Sequence, residues 1–224
     1  PLKLYCYTFF QKTINMETFD IDQTLISTCK FPLHEHRLKF LRFCILAHRE
    51  QTRKYTGELY IAHCIDVANL VYTNVYGNDD LIEIAFGHDL IEDTSVVATQ
   101  LLEVLLHCGY NIHRATWILH GIVLLTDKFI SNVYPNLNRS TRKELESIRL
   151  SKIEPNILCV KICDNLSNMP SIWYHDKDFY LTYRNEALIK LKYIHLKYST
   201  NLRLWPYLEK LVNLLEEKIT KENW

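Results

Sequence analysis

Apolar residues recur at steps of three and four along most of this chain, with charged and amide side chains between them. That spacing marks helices that bury one face. From His34 to Arg49 the apolar set is Leu38, Leu41, Ile45 and Leu46, and a polar turn, Glu50 to Glu58, leads into a second run from Leu59 to Val75. Gly77 to Asp80 reads as a turn, with Asp79 or Asp80 as the cap of a third helix carrying residues 87–94. Thr94 and Ser95 suggest a further cap, for a helix reaching His107 ahead of Gly109, and Ile112 to Leu125 predicts another. Residues 129–138, with Pro135 and three asparagines, predict a loop. Residues 139–151 have a helical pattern but are heavily charged, which predicts a solvated helix, with a flap over a site as the alternative. Pro155 starts a helix that Pro170 is expected to end. Two long helices, about 178–199 and 203–222, close the chain. In the last, Leu204, Leu208, Leu211 and Leu215 form a stripe expected to pack on the domain.

The prediction is therefore all-α: a compact single-domain bundle of about eight to ten helices over residues 34–224. Residues 1–33 form an N-terminal extension that reads as a short helix or a strap across the domain surface.

Composition narrows the function classes. With 26 basic and 26 acidic residues among 224, the formal charge is zero, which argues against a nucleic-acid or anionic-membrane binder. A small anionic ligand needs only a local basic pocket. No apolar run approaches the roughly 18 residues of a membrane helix. Seven cysteines form no CxxC pair and lie mostly in apolar runs, as expected of free thiols in the reducing cytoplasm.

Four residues are metal-ligand types inside apolar helices: His63, His88, Asp89 and Asp164. Singly, each would pass for an ordinary hydrogen-bonded core residue. Jointly, two imidazoles and two carboxylates make a mixed nitrogen and oxygen set suited to Mn²⁺, Fe²⁺ or Zn²⁺. If residues 87–94 are one helix, His88 lies beneath Glu92 and Asp89 beneath Asp93. Glu92 and Asp93, one turn beyond the ligands, are then placed to take a proton from water activated by the metal. Cys64 and Cys163 each neighbour a ligand but point about 100° away on a helix, so both read as packing. Arg53 and Lys54 form either an exposed basic turn or part of a pocket.

Around these residues the text resembles a known family. His63, then His88-Asp89, then Asp164 follow the H…HD…D pattern of the HD-domain metal-dependent phosphohydrolases. Four longer segments are similar to the hydrolase domain of the RelA/SpoT type and its stand-alone form, the small alarmone hydrolases. They are QTRKYTGELYIAH from Gln51 to His63, HDLIEDT from His88 to Thr94, LTDK from Leu125 to Lys128, and VKICDNLSNM from Val160 to Met169. They occur in the family's order and span roughly residues 35–200.

The resemblance implies an HD-type helical fold. It also implies Mn²⁺ bound by His63, His88, Asp89 and Asp164, with Glu92 and Asp93 handling water and protons. Arg53, Lys54 and Asn168 would contact the nucleotide. The implied reaction is manganese-dependent hydrolysis of the 3′-pyrophosphate of guanosine tetra- or pentaphosphate (ppGpp, pppGpp), giving GDP or GTP and pyrophosphate. The substrate shell departs from the family pattern. Cys64 and Leu59 stand where prolines are usual, and Asn165, Ser167 and Pro170 replace the usual residues after Asp164. Arg184 matches a family arginine, but Leu188 stands where animal-type members carry an aromatic. Two alternatives follow: an HD-type phosphatase acting on another nucleotide such as NADPH, and a non-catalytic nucleotide-binding module. The oligomeric state is left open.

Overall fold

The computed structural model describes residues 19–76, 79–198 and 206–221. Among them the regular elements are helices, apart from one isolated bridge between Thr52 and Leu59. Ten helices have eight or more residues: α1 (Phe19–Ser27), α2 (Glu35–Ala47), α3 (Tyr60–Asn74), α4 (Asp80–Gly87), α6 (Ala98–His107), α7 (Ile112–Leu125), α8 (Arg139–Leu150), α9 (Pro155–His175), α10 (Lys177–Tyr198) and α11 (Pro206–Lys221). The remaining one, α5 (Leu90–Asp93), is a single turn. The expected all-α bundle is observed, and most predicted helices start and stop within a residue or two of their patterns.

α9 is the axis of the fold and packs against α3, α4, α7, α10 and α11. Its buried set, which includes Ile157, Val160, Ile162, Leu166, Met169 and Ile172, nearly encircles it in the first three turns. α3 and α4 pack side by side, and α7 covers the other flank of α4. That flank closes tightly because α7 presents Gly121 to Ile84, and a Cβ on Gly121 would fall inside contact distance of the Ile84 side chain. The leucine stripe of α11 faces the domain, with Leu208, Leu211 and Leu215 fully buried, while Leu204 lies outside the described residues.

Several expectations are corrected. Pro170 does not end α9, which continues to His175. Proline removes one backbone donor, and the buried Met169 and Ile172 on either side hold the helix in place regardless. Asp79 occupies the N-cap of α4 without a side-chain cap bond. Asp80 instead pairs with Arg114, and the Asp79 carbonyl accepts from Arg37. Gly77 and Asn78 of that expected turn lie outside the described residues. Thr94 and Ser95 do not cap α6. Its N-cap is Val97, whose amide donates to Gln100 Oε1 at 3.2 Å. Of the extension, residues 1–18 lie outside the described residues. α1 follows, and Leu25 and Phe31 are buried in the core.

Two features set the position of the site. Arg37 and Glu83 form a fully buried ion pair at 2.9 Å between α2 and α4, with Tyr110 donating to Glu83 at 2.8 Å. This clamp fixes α4, whose C-terminal end leads into His88. The loop before α3 folds back on itself, Arg53 N donating to Glu58 O and Tyr60 N to Gln51 O. Gly57 makes the reversal at φ +71°, a region where a side chain would be strained.

Candidate metal centre and active-site pocket

α3 supplies His63, the junction of α4 and α5 supplies His88 and Asp89, and α9 supplies Asp164, all four buried. The segment expected to be one helix is two. Helical geometry lapses at Asp89, with φ −97° and ψ 1°, and resumes at Leu90. The reason is geometric: an unbroken helix would turn consecutive side chains about 100° apart, whereas here His88 and Asp89 both reach the same point.

Each imidazole is fixed through its Nδ1. His88 Nδ1 donates to the Ala85 carbonyl at 2.6 Å. His63 Nδ1 lies 3.0 Å from Ser167 Oγ, which in turn donates to Asp66 Oδ2 at 2.5 Å. Nε2 is therefore the free atom on both rings, and both Nε2 atoms are buried without a hydrogen-bond partner. They converge on the carboxylates. His63 Nε2 is 3.2 Å from Asp164 Oδ1 and 4.0 Å from Asp89 Oδ2, and His88 Nε2 is 2.9 Å from Asp89 Oδ2 and 3.8 Å from Asp164 Oδ1. Buried orphan nitrogens facing two carboxylates are the arrangement a divalent cation requires, and the donor set fits one. Burial disfavours a charged His88, but Asp89 and Asp164 prevail and lift it to about 10. A bound cation would take that proton's place.

Neighbouring side chains hold these four groups in turn. Tyr60 donates to Asp89 Oδ2 at 2.7 Å. Asp164 is gripped by Lys161 at 3.0 Å through Oδ2 and by Asn168 at 2.6 Å through Oδ1. Cys163 is buried packing, as expected. Cys64 is also buried, but its sulfur comes within 4.8 Å of the ligand atoms of His88 and Asp89, nearer than the helical spacing predicted. Burial pushes its thiol well above the usual range.

The centre opens into a cleft of about 190 Å³ whose walls include Glu92, Asp127, Lys143, Lys161, Asn168 and Lys190. Glu92 accepts the Asp127 amide at 3.1 Å. Solvent reaches its carboxyl through the cleft mouth, yet crowding by protein atoms raises it to about 7, against the opposing pull of Lys161. Asp93 is raised as well, by crowding and by Asp89. Asn168 lies in the cleft and accepts from Arg53 Nη1 at 2.8 Å. Arg53 thus sits at the rim, its guanidinium 5.9 Å from the Tyr60 ring centroid. Lys54 lies outside the lining. It is exposed, 3.6 Å from Asp176 and 4.6 Å from the Tyr55 ring centroid.

The helix expected to be solvated, α8, is a wall of the cleft. Glu146 and Ser147 are buried; Glu146 accepts the Lys128 and Phe129 amides and is held by Arg149. Its charges are paired within the fold, which composition does not reveal. Lys143 pairs with Asp127 at 2.6 Å. Sequence reasoning also passed over the Asp66–Ser167 relay and Lys190. Ser167 and Asp66 do carry a signal, since each lies about one turn from a ligand on the ligand's own helix.

No protein-family model matches the chain. Among curated proteins, a probable guanosine-3′,5′-bis(diphosphate) 3′-pyrophosphohydrolase of Synechocystis is 30% identical over 143 residues, which are 61% of this chain and 17% of that protein. The chain thus spans about a sixth of that relative's length. Among solved structures, a metazoan ortholog of SpoT, reported to hydrolyse ppGpp and to play a role in starvation responses, superposes with a TM-score of 0.61 at 18% identity. The match covers 83% of this chain and 98% of that one. The chain shares the fold of that SpoT ortholog. In this SpoT-type fold no described helix is long and apolar enough to cross a membrane.

Proposed function

We propose that residues 34–224 form an HD-type alarmone hydrolase that removes the 3′-pyrophosphate of ppGpp or pppGpp, yielding GDP or GTP and pyrophosphate, with Mn²⁺ as its cation. The observation that carries this reading is the convergence of the two orphan Nε2 atoms with Asp89 and Asp164 at the base of a cleft lined by Glu92 and lysines. A structural metal site would not need a raised carboxyl beside it. The similarity to the Synechocystis protein supports the guanosine substrate. The six described cysteines are free thiols, which fits a cytoplasmic setting.

In this reading His63, His88, Asp89 and Asp164 hold the cation. When bound, it supplies Lewis-acid activation of water and neutralises phosphoryl charge. Glu92, near neutrality in its proton affinity, accepts the proton of the attacking water, and Asp93 assists from beside Tyr60. Water oxygen bonds to the phosphorus nearest the ribose, the bond from that phosphorus to O3′ breaks, and O3′ leaves with the proton returned by the Glu92–Asp93 pair. The cleft is smaller than the ~300–1,000 Å³ usual for small-molecule sites, so it receives the phosphate end. The nucleoside then lies at the rim, where Arg53 and Asn168 meet it and Lys54 stands farther out.

One observation favours a second reading, another phosphorylated nucleotide. Arg184, the match to the family arginine, donates to the Ile219 carbonyl, and Leu188 is half-exposed beside it. The test is an assay of the manganese-loaded protein against ppGpp, pppGpp and NADPH, following pyrophosphate and phosphate. Pyrophosphate release from ppGpp is expected. Phosphate from NADPH without pyrophosphate from ppGpp would replace the first reading by the second.

A further inference from the structure

Lys190 on α10 is unlike the other two lysines of the cleft. Lys161 is neutralised by Asp164 at 3.0 Å and Lys143 by Asp127 at 2.6 Å. Lys190 is the deepest of the three, 9% exposed, but no carboxylate pairs with it among the described residues. Its one hydrogen bond is to a neutral amide oxygen, Asn165 Oδ1, at 2.5 Å. The amide nitrogen of Asn165 donates onward to Tyr183 at 2.8 Å, so Asn165 cannot swing away without breaking both bonds. An ammonium offers three donors, and a buried one without a counter-charge is costly. Burial and the neighbouring Lys161 together depress it to about 7, against Asp164 and Asp127. An unpaired cation facing a cleft is ready for an anion that arrives with the ligand.

Its position says which anion. Lys190 is bonded through Asn165, the residue after Asp164, so it stands one side chain removed from the four-ligand centre, toward Lys143 and Asp127. A single phosphate held at that centre would be served by the cation, leaving Lys190 still unpaired. A second phosphoryl group extending along the cleft would reach it.

We propose that Lys190 is a specificity residue, binding the distal phosphoryl of a diphosphate and so selecting substrates that carry pyrophosphate over those that carry a single phosphate. This deepens the alarmone reading and rests on the same site. It assigns the cleft beyond the metal centre to the far half of the pyrophosphate.

The test uses inorganic pyrophosphate and orthophosphate as probes, so that it does not depend on turnover. The manganese-loaded protein is titrated with each by calorimetry, as the parent and as Lys190→Met, a replacement of similar length that removes the buried charge. The parent is expected to bind pyrophosphate at least tenfold more tightly than orthophosphate. Lys190→Met should lose about tenfold or more in pyrophosphate affinity, the loss expected for one charge-assisted hydrogen bond, with orthophosphate changed less than threefold. Lys190→Arg should restore part of it. Unchanged pyrophosphate binding in a folded Lys190→Met protein, or an equal loss for both probes, overturns the proposal. So does a parent without preference for pyrophosphate, which keeps the test decisive if the variant does not fold. Failure to hydrolyse ppGpp alongside a Lys190-dependent preference would overturn the proposed reaction and leave this assignment standing.

Discussion

The Asp66–Ser167–His63 relay gives the most direct handle on the metal centre. Ser167→Ala removes one hydroxyl and two hydrogen bonds, the 3.0 Å contact to His63 Nδ1 and the 2.5 Å bond to Asp66. A hydrogen bond to a carboxylate contributes about 1.5–3 kcal/mol where it is shielded from water. Asp66 is exposed, however, so water replaces most of that bond when the hydroxyl is gone. The uncompensated loss falls on His63, whose ring is buried and whose Nδ1 then has no fixed partner. Nothing else selects the tautomer that keeps Nε2 open. Loss of such an outer partner costs about 10–100-fold in metal affinity, or about 1.4–2.8 kcal/mol. The metal-free protein should lose much less, since only one buried neutral bond is involved. The assay is Mn²⁺ affinity by competition with a chelator, alongside melting curves with and without the ion. Ser167→Ala should narrow the gap between the two melting temperatures, mostly by lowering the metal-loaded one. Parental Mn²⁺ affinity in Ser167→Ala would refute the relay. An equal drop of both melting temperatures would show that the serine serves packing alone.

Other outcomes follow from the same geometry. Asp89→Ala should abolish stoichiometric metal, measured by elemental analysis, and with it the rise in melting temperature that the ion produces. Glu92→Gln should keep its metal content while turnover of ppGpp falls by about 100-fold or more; undiminished turnover would remove Glu92 from the mechanism. Because folding raises Glu92 to about 7, its ionisation opposes the folded state. That penalty is absent below the ordinary carboxylate range and complete above about pH 7. Metal-free Glu92→Gln should therefore melt higher than the parent at pH 8 and show a far smaller gain at pH 4.5. Gly121→Ala should destabilise by about 1–3 kcal/mol through overpacking against Ile84, more than the ~1 kcal/mol gain in helix propensity; denaturant midpoints decide it.

The helices were legible wherever one face is apolar and the other polar, as in Ile112–Leu125, whose predicted bounds match the structure. The four ligand-type residues were legible because a His or Asp inside an apolar run is costly to bury without a partner, and four such residues in one chain call for a shared one. What stayed hidden depends on partners far away in sequence. The charges of α8 read as solvent-facing because Glu146 is satisfied by amides of the preceding loop rather than by its own helix alone. Lys190 falls in a helix rich in lysines, and its burial is set by packing against α8 and α9, which periodicity does not show. Pro170 misled because a proline rule describes an isolated helix, and α9 is held by its neighbours. The break at Asp89 is marked in the sequence only by Gly87, the last residue of α4; it follows from the need to bring two consecutive side chains to one point.

α9 also constrains how this molecule could diverge. Lys161, Asp164, Asn165, Ser167 and Asn168 ride on one continuous helix, so inserting or deleting a single residue among them would rotate those beyond it by about 100° relative to those before it. The contacts that α9 makes to His63, His88 and Arg53 would fail together. Variation in this segment is thereby restricted to replacements in place. New substrate preferences are left to arise on α8 and α10, where Lys143 and Lys190 can change without disturbing the register of the helix between them.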